Sequence, residues 1–239
     1  MEVQEGLTLV VGLGLIGGSV ARGLEAAGWI VEGVDPDPEA RRAALAAGAV
    51  RQVHPDLTRL GSEPRLVVLA APPRTTMELV RHPWPAHAIV TDCASVKSAV
   101  IESVPHLLRT RFVGGHPMAG NEGKGFDASS GDLFRGRPWI VTPTGETSRQ
   151  ALRGVEDMIH ALGGDPVRMS PQEHDRHVAL LSHLPNLLAA ILVKMANDLD
   201  RTDVAGGSWR DATRVAGSNA ELWAEILEAN GSEVRGHID

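Results

Sequence analysis

The chain has 239 residues, enough for one large domain or two modest ones around a stable core. Hydrophobic residues make up 43% and charged residues 22%, the balance of a soluble globular protein, and the net charge of −7 speaks against a nucleic-acid surface, which needs a basic face. Cys93 is the sole cysteine, which excludes a disulfide framework and a thiolate zinc site within one chain. With no charged-then-apolar leader and no run of about 18 apolar residues, a cytoplasmic protein that does not enter a membrane is expected.

In chain order, LTLVV (7–11) reads as a buried strand and residues 15–28 as a helix closed by glycine. WIVEGVD (29–35) is the next strand, and an alanine-rich helix over 38–48 again ends on glycine. RLVVLAAPP (65–73) is a strand that runs into prolines, and AIVTDCAS (88–95) is another, followed by a helix over 96–108. RFVGGHP (111–117) starts as a short strand that breaks at its glycines, leaving His116 on a glycine-lined loop. RPWIVTP (137–143), a helix with apolar spacing over 150–162, and an edge strand DPVRM (165–169) complete an α/β pattern. Strand–helix alternation of this kind predicts a Rossmann-type, doubly wound, mostly parallel sheet over residues 1–169.

Near Ser170 the character changes to all-α. Residues 171–199 are helical and apolar over most of their circumference, which predicts a buried central helix of a second, smaller domain over 170–239, packed in part against a partner subunit. A polar link (200–208) leads to a last helix, SNAELWAEILEA, with Ser218 as N-cap and Glu221 closing a capping box. GSEVRGHID (231–239) does not read as a packed helix, so this domain is expected to be short or truncated.

Gly12, Gly14 and Gly17 spell G-x-G-x-x-G between a strand and a helix, with Asp35 at the end of the next strand. Gly12 allows the tight turn, Gly14 lets backbone approach a pyrophosphate, and Gly17 permits close helix–strand packing. The helix start at Leu15 and Ile16 offers free N–H groups to the anion. Asp35 would accept from the adenine-ribose hydroxyls and repel a 2′-phosphate, favouring NAD over NADP. Arg41 and Arg42 leave NADP open, but a solvated helix face accounts for them as well.

Ligands in open α/β sheets lie at the carboxyl ends of the strands. Three loops leave such ends with unusual residues. AAPPRT, with Ala71 and Pro72, suits a wall for the nicotinamide ribose; DCASVKS carries Ser95 and Lys97; the third holds His116, an imidazole that exchanges a proton near neutral pH. His54, His82, His87, His106, His160, His174, His177 and His237 have no partner pattern and are expected to be surface or structural. His174 and His177 are three apart with no further ligand, so no metal site is expected.

Five ordered motifs, GLGLIGGS (12–19), Asp-x-x-Ser-Val-Lys (92–97), GGHPMAG (114–120), SHLPN (182–186) and DATRVAGSNAELW (211–223), resemble the TyrA family: prephenate dehydrogenase and its arogenate-using relatives. The resemblance implies NAD-dependent oxidative decarboxylation of prephenate to 4-hydroxyphenylpyruvate, in a homodimer joined through the helical domain. It makes His116 the base for the ring hydroxyl and Ser95 its partner, with Lys97 positioning or polarising. It places His183 on the substrate, Arg214 on a substrate carboxylate, a role suited to the guanidinium fork, and Glu122 near the entrance. Arogenate is the rival substrate. Two-domain reductases of the 6-phosphogluconate or imine-reductase type would need a catalytic lysine in the helical half, where Lys194 is the only lysine and lacks their glycine-rich context. A non-catalytic NAD sensor would keep the glycines and Asp35 but have no use for His116, His183 and Arg214 together.

Overall fold

The computed structural model describes residues 6–61, 63–121, 123–197, 199 and 203–239. Strands β1 (Leu7–Val11), β2 (Ile30–Val34), β3 (Gln52–His54), β4 (Leu66–Leu69), β5 (Ile89–Asp92), β6 (Phe112–Pro117), β7 (Pro138–Thr142) and β8 (Asp165–Arg168) form one sheet in the order β3-β2-β1-β4-β5-β6-β7-β8. All neighbours are parallel except β6 and β7. The mostly parallel, doubly wound sheet expected from the alternation is therefore present.

Helices cover both faces. α1 (Leu15–Ala26), α2 (Pro38–Ala46) and α5 (Arg149–Ala161) bury Val20, Leu24, Ala44, Val155 and Met158 against one side of the sheet. On the other side α3 (Pro73–Leu79) and α4 (Ser98–Ser103) enclose Leu9, Val67, Leu69, Val90 and Val100. Such near-continuous apolar strands, buried on both faces, are what a parallel sheet requires.

Several expectations need correction. The glycines of RFVGGHP do not break the strand: β6 runs through Gly114, Gly115 and His116 to Pro117, buried throughout, so His116 sits on a central strand and not on a loop. A Cβ on Gly115 would lie 2.6 Å from the Asp92 carbonyl oxygen and one on Gly114 2.4 Å from Thr142 Oγ1, so these glycines serve close interstrand packing and not a turn. The prolines after β4 open helix α3, with Pro73 at its start, where a missing N–H costs nothing.

Beyond β8 every described element is helical. α6 (Pro171–Val178), a wide π turn (Ala179–His183) and α7 (Leu184–Ala196) form one continuous helical rod. It is not buried all round: Leu180, Leu181, Leu188, Ile191, Leu192 and Met195 are exposed on its outer side. Although the rod is long and apolar enough to cross a membrane, its inner side carries His174, Asp175, His183 and Asn186, all buried. α8 (Gly207–Thr213) and a 3₁₀ turn (Arg214–Gly217) lead to α9 (Ala220–Ala229). The N-cap of α9 is Asn219, whose side chain accepts from Glu221 and Leu222 N–H, one residue beyond the expected Ser218. The final stretch does pack: α10 (Gly231–Gly236) buries Val234. α9 returns to the sheet domain, with Ile226 buried in the core beneath α3 and Arg74 bonded to Glu225 and Glu228.

Candidate active site

Because β1, β4, β5 and β6 are parallel, their carboxyl ends lie along one edge of the sheet. That edge collects the glycine loop, Ala71 and Pro72 after β4, Ser95 and Lys97 after β5, and His116 at the end of β6. The three stretches singled out by sequence are thus set along one edge by the sheet topology.

The glycine loop has the geometry of a dinucleotide site. Gly12 has φ +92° and a Cβ there would sit 2.4 Å from the Ala70 carbonyl oxygen; at Gly17 it would meet the Gly12 carbonyl oxygen at 1.8 Å. Gly14, the N-cap of α1, has nothing within 4 Å of its Cβ position and offers no capping side chain. The first-turn N–H groups, including those of Leu15 and Ile16, therefore face a space that an anionic group fits. Asp35 lies at the end of β2: Oδ2 accepts from Leu13 N–H at 2.6 Å and Oδ1 from Asp37 N–H at 2.8 Å. Arg41 is not on a solvated face; its guanidinium donates to the Asp35 and Pro36 carbonyls, whereas Arg42 is exposed beside Glu39. This cradle of bare backbone with a carboxylate at its far end fits NAD, whose ribose hydroxyls suit Asp35.

His116 is almost fully buried, and its Nδ1 lies 2.8 Å from His174 Nε2. His174 Nδ1 in turn lies 2.8 Å from Asp175 Oδ1. Asp175 also accepts from the Lys97 and Ser98 backbone N–H groups, both at 2.8 Å. Burial pushes the Asp175 carboxyl up, but hydrogen bonds from His174, Ser98 and Lys97 outweigh it and hold the group at about 2. Burial, followed by the neighbouring His174, Lys97 and His183, keeps the His116 imidazole well below its ordinary range. It is therefore neutral near pH 7 and able to accept a proton.

Lys97 is fully buried and is no surface lysine. Its ammonium pairs with Asp92 and donates to the Gly115 carbonyl at 2.6 Å, while Asp92 also accepts from Gly115 and Ala94 N–H. Of the two roles the resemblance implies, positioning and polarising, these contacts fit the first: the side chain braces the strand that carries His116.

From the helical half, His183 is buried with its ring edge-on to Trp223, centroids 5.9 Å apart. Burial first, then His174, lowers it to about 4, opposed by Asp175 and by a hydrogen bond to the Ser95 backbone. Asn230, at the α9–α10 junction, donates to the Asp175 carbonyl at 2.9 Å and lies 3.1 Å from His183 Nδ1. Arg214 opens the turn that Asn186 of α7 holds by donating to Val215 O at 3.0 Å. Glu122 lies outside the described residues.

His174, Asp175, Asp92 and Asn230 were missed as site residues. In sequence His174 reads as surface or structural; in the fold it is fully buried against His116. The adjacent Asp175 was the available signal: a His–Asp dipeptide opening a helix after Ser170, whose side chain caps Glu173 N–H.

Residues 20–167 match the family model of the prephenate dehydrogenase nucleotide-binding domain, and residues 170–239 that of its dimerization domain. A prephenate dehydrogenase of Bacillus subtilis is 32% identical over all of this chain and 68% of its own length. A cyclohexadienyl dehydrogenase of Zymomonas mobilis is 36% identical, covering 92% of this chain and 80% of that one. The crystal structure of prephenate dehydrogenase from A. aeolicus, solved with hydroxyphenyl propionate and NAD+, superposes with a TM-score of 0.91 at 32% identity, over all of this chain and 86% of the other. With both halves matched and the nucleotide cradle and buried histidines in place, the chain belongs to the prephenate dehydrogenase family of NAD-dependent oxidoreductases.

Proposed function

We propose that this protein converts prephenate to 4-hydroxyphenylpyruvate by NAD-dependent oxidative decarboxylation, as a cytoplasmic homodimer. The observation that carries the reading is a neutral, buried imidazole, His116, on the same sheet edge as the dinucleotide cradle and backed by His174 and Asp175. Gly12, Gly14, Leu15, Ile16, Gly17 and Asp35 hold the coenzyme, with Ala71 and Pro72 along its wall; when bound, NAD+ supplies the hydride acceptor. His116 takes the proton of the ring hydroxyl as the C4 hydride leaves. Loss of carbon dioxide from C1 then makes the ring aromatic, which supplies most of the driving force, and the phenolate oxygen takes the proton back from His116. General-base assistance of this kind contributes about 10²–10⁴-fold. Ser95 bonds the same hydroxyl or steadies the imidazole. His183 and Arg214 bind the acid end of the substrate, with Glu122 near the entrance, and Lys97 keeps β6 and Asp92 in place.

Arogenate is the second reading, supported by the 36% identity to a cyclohexadienyl dehydrogenase. The test is absorbance at the NADH band with NAD+ and each substrate in turn. Prephenate is expected to give signal, and His116→Asn to abolish it while NAD+ affinity stays within about twofold. Signal with arogenate alone makes the second reading the right one. Silence with both, NAD+ binding intact, leaves a nucleotide-binding protein without this activity.

A further inference from the structure

Two imidazoles in this site have partners of opposite kind, and a single residue, Asp175, stands behind both. On one side its carboxylate, already accepting from two backbone N–H groups, can only accept from His174 Nδ1. A neutral His174 then carries its proton on Nδ1 and presents a bare Nε2. His116 Nδ1, 2.8 Å away, must be the donor of that pair. Neutral His116 thereby has no proton on Nε2.

On the other side, the Asp175 backbone carbonyl accepts from Asn230. Only an amide NH₂ bonds to a carbonyl, so this contact fixes which way the Asn230 side chain faces. Its nitrogen is also the atom 3.1 Å from His183 Nδ1, so Nδ1 accepts there. Neutral His183 carries its proton on Nε2. That atom is buried with no hydrogen-bond partner of ordinary geometry among the described residues, the Ser95 backbone acting on the ring only as a weak acceptor. A buried N–H without a well-placed acceptor is costly, which marks Nε2 as a donor suited to an oxygen of a bound carboxylate or hydroxyl.

We propose that Asp175, through His174 and through Asn230, sets the two site imidazoles to opposite tautomers, making His116 Nε2 a proton acceptor and His183 Nε2 a hydrogen-bond donor. The first half deepens the reading of His116 as the base under Proposed function; the tautomers themselves depend on no substrate. His174, Asp175 and Asn230 are positioning residues. Fixing a base in the correct tautomer is worth as much as 10⁴-fold where an aspartate does so in a serine-protease triad.

The test is nitrogen-15 NMR of histidine-labelled protein without substrate, near neutral pH. Expected in the wild type is a protonated Nδ1 and bare Nε2 on His116, and the reverse on His183. Asn230→Asp places a carboxylate against His183 Nδ1 and is expected to move the His183 proton to Nδ1, leaving His116 unchanged. The same tautomer on both rings in the wild type, or no change at His183 in Asn230→Asp, overturns the proposal. In turnover, His174→Leu is expected to lower kcat at least about 10²-fold with KM within about twofold, and His174→Gln, which keeps an acceptor near the His116 Nδ1–H, to recover at least a tenth of wild-type kcat. Equal loss in both variants, with NAD+ affinity unchanged, overturns the His174 arm. Because the spectra are read without substrate, failure of prephenate to react leaves the tautomer result standing, and the converse also holds.

Discussion

At the scale of single residues, Lys97 decides what kind of site this is. An ammonium with no solvent exposure, paired to an equally buried Asp92, is an internal ion pair. Removing one partner of such a pair leaves an uncompensated buried charge and costs about 3–5 kcal/mol. Lys97→Met is therefore expected to lower unfolding free energy by about that amount in the protein without substrate, measured by chemical denaturation. A lysine that served only to touch substrate would leave the melt unchanged and raise KM. Sequence placed Lys97 at the site but could not tell its role, because a lysine before a helix reads the same whether it faces water or Asp92. His174 was undervalued for the same reason: its importance lies in a 2.8 Å contact with a residue 58 positions earlier.

At the scale of elements, the α6–α7 rod brings two histidines onto one side. On an unbroken α-helix, nine residues at about 100° each would put His174 and His183 on opposite faces. The π turn at Ala179–His183 absorbs the mismatch, so that His174, Asp175 and Val178 before it, Ala179 and His183 within it, and Asn186 and Ala189 after it are all buried. Wide turns of this sort recur at functional sites. The opposite side of the rod is left with Leu181, Leu188, Leu192 and Met195 in one exposed stripe, a patch of the sort that marks an interface. The proposed homodimer covers it, in keeping with the match of residues 170–239 to a dimerization domain. Leu188→Glu combined with Met195→Glu is expected to halve the mass seen by light scattering; an unchanged mass at low micromolar concentration would place the interface elsewhere. Apolar composition revealed that this helix needs covering, but not that its own chain covers only the inner half.

At the scale of the whole molecule, the site is a joint between the sheet domain and the helices, and its charges make that joint pH-sensitive. His116, His174 and His183 all sit below their ordinary value of 6.5 when folded, burial being the first cause in each. A lowered histidine means the unfolded chain takes up protons that the folded one does not. The stability it contributes is full above about pH 6.5 and drains as pH falls toward the folded values, about 4 for His183. Asp175 acts lower: its contribution holds above its ordinary 3.8 and is lost only as pH falls from there toward about 2. Melting temperature is thus expected to be level from pH 8 to about 7 and to drop by several degrees by about pH 5. A flat profile across that range would mean the three imidazoles titrate as they do in the unfolded chain.

Much of the architecture was legible from the chain alone, since β1 matches its expected bounds and the glycine turn, Asp35 and the parallel alternation follow from local patterns of period and backbone freedom. Those signals act over a few residues, which is why they survive without the fold. What only the tertiary structure decided is long-range: that Gly114 and Gly115 belong to a central strand pressed against Asp92 and Thr142, that the C-terminal residues return so Asn230 meets His183, and that Asp175 meets both His174 and Asn230. Hydrogen bonds between residues tens of positions apart leave no periodicity in a sequence, because they are set by where packed elements meet and not by what neighbours each residue along the chain.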